Sequence, residues 1–186
     1  MPMNEGQLGD HQLTRVIYSE EDIQRRVREM AAEITEFYGP DDDLLVVGLL
    51  KGSVIFLADL VRRINLPLHL DFLVASSYGT GTVSSGTVKL LYEPGASLKD
   101  RSVIIVEDII DSGNTLARLL PLLEEKEPKS LEVCTLLHKR LVRMEKEPRW
   151  VGFDAPSDFL IGYGLDYSEN FRHLPYIGAL RADGGA

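Results

Sequence analysis

The sequence predicts an α/β protein built on a mainly parallel central sheet flanked by helices. Three observations carry that prediction. Residues 44–49, 102–106 and 131–137 are short apolar runs with the length and continuity of strands buried on both faces. Stretches of helical periodicity alternate with them through the first part of the chain, the pattern of parallel strands joined by crossover helices. The 186 residues, 44% hydrophobic and 26% charged, suit one ordinary globular domain whose core needs neither disulfides nor metals.

Each element follows from its residues. Residues 1–10 have neither the basic start nor the apolar run of a secretion signal and read as a disordered leader within a single domain over 1–186. Ser19, followed by Glu20, Glu21 and Asp22, reads as an N-cap with acids in the first turn. Ile23, Val27, Met30, Ile34 and Phe37 then recur at steps of four and three, making one packing face, and Gly39-Pro40 ends the helix. After the strand 44–49, Lys51-Gly52-Ser53 breaks the chain ahead of a second helix over 54–64. Residues 68–75 and 87–92 read as the strands of a long hairpin, joined by a flexible loop, 79–86, made of Gly, Thr and Ser apart from Val83. The strand 102–106 ends in Glu107-Asp108, and the helical segment 114–126 should kink at Pro121, which has no N–H to donate. A strand over 131–137 and short apolar stretches around 150–153 and 159–163 complete the pattern.

Composition excludes several functions. Twenty basic against 29 acidic side chains leave a net charge of −9, which opposes loose capture of nucleic acid or an anionic membrane. No apolar run approaches the roughly 20 residues of a membrane span. Cys134 is the single cysteine, so no internal disulfide forms and a reducing, cytoplasmic setting is expected.

Chemistry concentrates in Val106-Glu-Asp-Ile-Ile-Asp-Ser-Gly-Asn-Thr115. Open α/β sheets bind ligands at the carboxyl ends of their strands, and this segment places Glu107, Asp108 and Asp111 at such an end. Gly113 permits a tight turn, while Ser112, Asn114 and Thr115 bring hydroxyls, an amide and backbone N–H groups to a helix N-terminus able to cradle a phosphate. No G-x-x-x-x-G-K-[ST] loop occurs, and Gly79-Thr-Gly-Thr-Val-Ser84 lacks the third glycine of the dinucleotide fingerprint.

The same segment resembles the phosphoribosyl-pyrophosphate signature of type I phosphoribosyltransferases. More narrowly, the chain resembles hypoxanthine-guanine phosphoribosyltransferases over residues 14–180. Leu50-Lys-Gly-Ser53, Ser77-Tyr78, His138-Lys-Arg140 and Asp158-Phe-Leu-Ile-Gly-Tyr-Gly-Leu-Asp-Tyr-Ser-Glu-Asn-Phe-Arg172 carry the rest of that likeness. The resemblance implies a small base-binding hood formed by the terminal segments and a hairpin lid with Ser77 and Tyr78 at its base. It also implies Mg2+-dependent transfer of 5-phosphoribose from 5-phosphoribosyl 1-pyrophosphate to hypoxanthine or guanine, by a homodimer or homotetramer. The products would be IMP or GMP, with pyrophosphate.

Residue by residue, the resemblance assigns phosphoribosyl binding to Glu107, Asp108, Ile109, Ile110, Asp111, Ser112, Gly113, Asn114 and Thr115. Pyrophosphate would meet backbone groups of Lys51, Gly52 and Ser53, often beside a strained peptide ahead of the lysine, and the side chain of Arg172. Purine would meet Ile110, Lys139, Phe159, Leu160 and Asp166. Metal would be held by Glu107, Asp108 and Asp166. From its place in the signature Asp111 is expected to act as general acid/base at purine N7, and Lys139, a pure donor, to read the 6-oxo group. Asn114 stands where the mammalian branch has a lysine, so one positive charge is missing beside the 5′-phosphate. Two other readings stand beside this one. An RNA-binding nucleotide sensor of the same fold should show a basic face, and only His138-Lys-Arg140 with Arg143 cluster. An enzyme acting on another base, such as xanthine, is the second.

Overall fold

The computed structural model describes residues 13–77, 88–141 and 143–180. The chain forms β1 (Leu13–Tyr18), α1 (Glu20–Phe37), β2 (Leu44–Leu50), α2 (Val54–Val61), β3 (Leu68–Ser77) and β4 (Val88–Tyr92). It continues through β5 (Ser102–Ile110), α3 (Asn114–Glu124), β6 (Ser130–His138), β7 (Trp150–Asp154), β8 (Phe159–Ile161) and β9 (Ile177–Leu180). The expected leader, Tyr78 and the loop 79–86 lie outside the described residues, and Ser77 is described only as the last residue of β3.

The larger sheet has the order β4-β3-β2-β5-β6-β7, with β3, β2, β5, β6 and β7 parallel and β4 antiparallel on the edge. This is the predicted mainly parallel sheet. Its centre is apolar because both faces are covered: in β2, Leu44 and Val46 pack under α1 and α2, while Leu45, Val47 and Leu49 meet α3. On one face Ile23, Val27, Met30 and Ile34 of α1 join Phe56, Leu57 and Leu60 of α2, all at most 2% exposed. On the other, Leu116, Leu119, Leu120 and Leu123 form the stripe of α3. Ser19 caps α1 as expected, its hydroxyl oxygen accepting from the Asp22 N–H at 3.1 Å.

Several boundaries differ from the reading of the sequence. β5 runs on to Ile110 because β6 stays paired with it as far as Ile110 opposite His138, so Glu107 and Asp108 lie inside the strand. α2 stops at Val61, and turn hydrogen bonds such as Ile64 N–H to the Leu60 carbonyl carry the chain to residue 64. α3 passes through Pro121 and ends at Glu124, short of residue 126.

A second sheet, of order β1-β9-β8, is the expected hood. Its own small core contains Ile161, Leu174, Tyr176 and Leu180, with Leu13 and Phe171 packed against them. Among the contacts that seat it on the main body, Tyr18 donates to the Asp154 carbonyl at 2.6 Å, and Tyr163 donates to the buried Asp59 carboxylate of α2 at 2.7 Å. No helix among the described residues is long and apolar enough to cross a membrane.

Candidate active site

Parallel strands bring their carboxyl ends to one edge, and the predicted site residues gather there. After β2 come Lys51, Gly52 and Ser53; after β5, residues 111–115; after β6, Lys139; and the hood's 162–172 segment packs against them. The Leu50–Lys51 peptide is cis.

The loop expected to cradle a phosphate lies where β5 turns into α3. Gly113 adopts φ +72°, a left-handed conformation that favours glycine, and no side chain caps the helix. The N–H groups of its first turn therefore have no helical acceptor and open onto a small pocket of about 90 Å³ lined by Glu107 and residues 109–116. A larger cavity of about 330 Å³ lies beside it, between α3 and Met144, and is lined by neither Glu107 nor Asp111.

Strand alternation sends Glu107 and Asp108 different ways. Glu107 lines the phosphate pocket with its Oε2 buried and unpartnered; burial, reinforced by the Asp108 charge, raises its carboxyl well above the usual range. Asp108 instead lies against Gly52, whose hydrogen leaves the only room available. A Cβ there would come within 1.7 Å of Asp108 Oδ2. Burial pushes the Asp108 carboxyl up to about 6 and the Asp166 charge adds to this, while backbone hydrogen bonds and Arg172 pull the other way. Ser53 is fully buried and its hydroxyl donates to the Leu49 carbonyl at 2.6 Å, which leaves only its main chain to meet a ligand.

The 162–172 segment delivers a cationic corner. Gly164, at φ +103°, packs on the Gly52 carbonyl, and its own carbonyl accepts from Arg172 Nη1 at 2.8 Å. Arg172 Nη2 pairs with Asp166 at 2.8 Å and reaches Glu169 at 3.4 Å; Lys51 Nζ meets the same Glu169 oxygen, Oε2, at 3.1 Å. Among the described residues no three acidic, histidine or cysteine side chains converge closely enough to hold a metal ion unaided.

At the other end of the site, Lys139 Nζ lies 3.3 Å from Asp111 Oδ2, so the ends of β5 and β6 set an acceptor beside a donor. The lysine side chain is only 12% exposed, which rules out a freely solvated charge. In the hood Phe159 is half-exposed, its ring held edge-on by Tyr167 at 5.6 Å, and Leu160 is buried opposite Ala179. Pairwise, the structure joins Gly52 with Asp108, Asp166 with Arg172, and Asp111 with Lys139. Phe159 pairs its ring with Tyr167 in the hood. Sequence reasoning missed Glu169, Asp59 and Tyr163, because contacts between segments more than 100 positions apart leave no local pattern.

Uncapped helix, strand-end carboxylates and hood together define a sugar-phosphate-handling α/β protein, and the chain belongs to the phosphoribosyl transferase domain family, whose model matches residues 15–168. Within it, a hypoxanthine phosphoribosyltransferase of Haemophilus influenzae is 46% identical over 166 residues, covering 88% of this chain and 93% of that protein. A hypoxanthine-guanine phosphoribosyltransferase of Bacillus subtilis is 45% identical over 172 residues, covering 92% and 95%. The crystal structure of a hypoxanthine phosphoribosyltransferase from Staphylococcus aureus superposes with a TM-score of 0.88 at 42% identity, covering 96% of each chain.

Proposed function

We propose that the protein transfers 5-phosphoribose from 5-phosphoribosyl 1-pyrophosphate to hypoxanthine, and to guanine, in purine salvage. One observation carries this reading. On a 6-oxopurine the O6 and N7 atoms are neighbours on one edge, and Lys139 and Asp111 present a donor and an acceptor 3.3 Å apart. Lys139 would donate to O6 while Asp111 takes the proton from N7 as N9 attacks C1 of the ribose. The C1–O bond to pyrophosphate breaks in that step, and the sugar passes through a cationic state. Phe159 would stack on the base, with main-chain groups at Ile110 and Leu160 meeting its edges. The uncapped N–H groups at 113–115, with Ser112 and Thr115, hold the 5′-phosphate, and Lys51, Gly52, Ser53 and Arg172 hold the pyrophosphate. Asn114 adds no charge there.

The donor set fits Mg2+. Asp108 and Asp166 repel one another, which a cation between them would relieve, while the orphaned carboxyl oxygen of Glu107 faces the other way, into the pocket of residues 109–116. Magnesium binds through one or two carboxylates plus substrate oxygens, so a cage of three protein ligands is not needed. When bound it neutralises charge on the leaving pyrophosphate. A homodimer or homotetramer in the cytoplasm is the expected setting.

The test is direct assay of purified protein with donor and Mg2+ against hypoxanthine, guanine, xanthine and adenine. Turnover of the 6-oxopurines with release of pyrophosphate is expected. Turnover of adenine alone, or of none, refutes the reading.

A further inference from the structure

The cations of the site are already engaged by its own carboxylates. Lys139 lies on Asp111 and Arg172 on Asp166, and those acids have assigned work with base or metal. Glu169 has none, yet its Oε2 sits between Lys51 Nζ at 3.1 Å and Arg172 Nη2 at 3.4 Å. The turn that carries it is built to put it there. Tyr167 and Asn170 exchange backbone hydrogen bonds at 3.1 and 3.0 Å, the Glu169 N–H donates to Asp166 Oδ2 at 2.8 Å, and Ser168 and Glu169 hold φ values of +50° and +65°. Left-handed backbone is unfavourable for such residues and persists only where its surroundings impose it. One carboxylate oxygen bridging a lysine and an arginine from separate loops offers them the same kind of charge-assisted contact that an oxygen of pyrophosphate would offer.

We propose that Glu169 is a resident competitor for pyrophosphate: in the empty site it clamps Lys51 and Arg172, and it must be displaced before pyrophosphate, or the pyrophosphate end of the donor, can engage them. This rests on the assignment of Lys51 and Arg172 to pyrophosphate, and adds the Lys51 ammonium to the main-chain contacts expected of residues 51–53. The clamp weakens retention of that product and so favours its release. It is a light clamp, since the Lys51 and Glu169 side chains are 68% and 66% exposed, and ion pairs of that exposure are weak. Apparent affinity scales with the fraction of sites left open, so a clamp closed one-half to nine-tenths of the time lowers pyrophosphate affinity about two- to ten-fold.

The experiment is calorimetric titration of magnesium pyrophosphate into wild type, Glu169→Gln, Lys51→Met and the double variant. Glutamine keeps the size of the side chain and removes its charge. Glu169→Gln should bind pyrophosphate about two- to ten-fold more tightly, with a smaller gain in the Lys51→Met background. Unchanged or weaker binding in Glu169→Gln, while Lys51→Met binds less well than wild type, overturns the competitor role and leaves the pyrophosphate subsite standing. An equal gain in both backgrounds also overturns it, since removal of one negative charge would then act without the clamp. Lys51→Met binding as well as wild type overturns the part of the Lys51 ammonium in holding pyrophosphate, and with it the clamp, while the main-chain contacts of residues 51–53 would still stand.

Discussion

Replacing Gly52 with alanine would place a methyl group 1.7 Å from Asp108 Oδ2 and 2.6 Å from its Cγ. Side-chain carbons essentially never approach other heavy atoms within 3.0 Å, so the carboxylate must retreat by at least 1.3 Å, the difference of 3.0 and 1.7. The obstacle is the end of a short side chain, and rotation of Asp108 can relieve it. Rotation out of a well-packed position costs about 1–2 kcal/mol, between the cost of an off-rotamer torsion and that of overpacking. For a domain of this size that lowers the melting temperature by about 2–8 °C. Donor affinity should fall as well, since Asp108 leaves the place it shares with Asp166 and Arg172. The decisive comparison is a double-mutant cycle in thermal melts. In an Asp108→Ala background the carboxylate is gone, and Gly52→Ala should cost less than about 0.5 kcal/mol. Equal costs in both backgrounds would refute the claim that Asp108 is what keeps residue 52 a glycine.

Other outcomes follow from distances and charges at the same edge. Lys139→Gln offers an amide that can turn either end to the base, so kcat/KM for hypoxanthine should drop and its advantage over adenine narrow; an unchanged ratio shows that Lys139 does not read the base. Asp111→Asn removes the acceptor for the N7 proton and should cut turnover by about 10²–10⁴-fold with donor KM largely kept, as steady-state kinetics would report. With the Asp108 carboxyl pushed up to about 6, a proton competes with Mg2+ below that pH. Affinity for magnesium pyrophosphate should therefore fall about tenfold per pH unit below 6 and level off above, a break that calorimetry at several pH values locates. The free protein should show the opposite trend in its melts: the raised value makes this group favour the folded state at low pH, an advantage lost as pH rises from the ordinary carboxylate value through 6. Tyr163→Phe removes the hydrogen bond to buried Asp59 and should cost about 1.5–3 kcal/mol, a drop in melting temperature of about 3–12 °C.

What could be read in advance was what is written locally. The apolar runs of β2, β5 and β6 announced doubly covered strands because every residue in them had to be buried, and Ser19 with its acids announced the start of α1. The hood strands gave no comparable signal. β1 mixes half-buried and exposed residues without strict alternation, and β9 is four residues long, so neither shows a period until the two are paired. At the site, Glu107, Asp108, Asp111 and the loop to Thr115 were legible as one continuous motif. The placing of Asp108 against Gly52, the inward turn of the Ser53 hydroxyl and the bridge from Glu169 to Lys51 were not. They are decided by how separate strand ends come to rest against each other, and no spacing along the chain encodes that distance.

The pairing of β1 with β9 also sets an order of events during synthesis. Among the described residues β1 is hydrogen-bonded as a strand only to β9, with Tyr18 opposite Ile177 and Thr14 Oγ1 donating to the Ala179 carbonyl. At ribosomal rates of about 5–20 residues per second, roughly 8–30 s separate the emergence of these two strands. The large sheet, complete at β7, and with it the phosphate cradle, can form in that interval. The hood sheet cannot, and the growing chain passes through a stage in which the loop proposed for the 5′-phosphate is in place before the hood proposed to cover the purine.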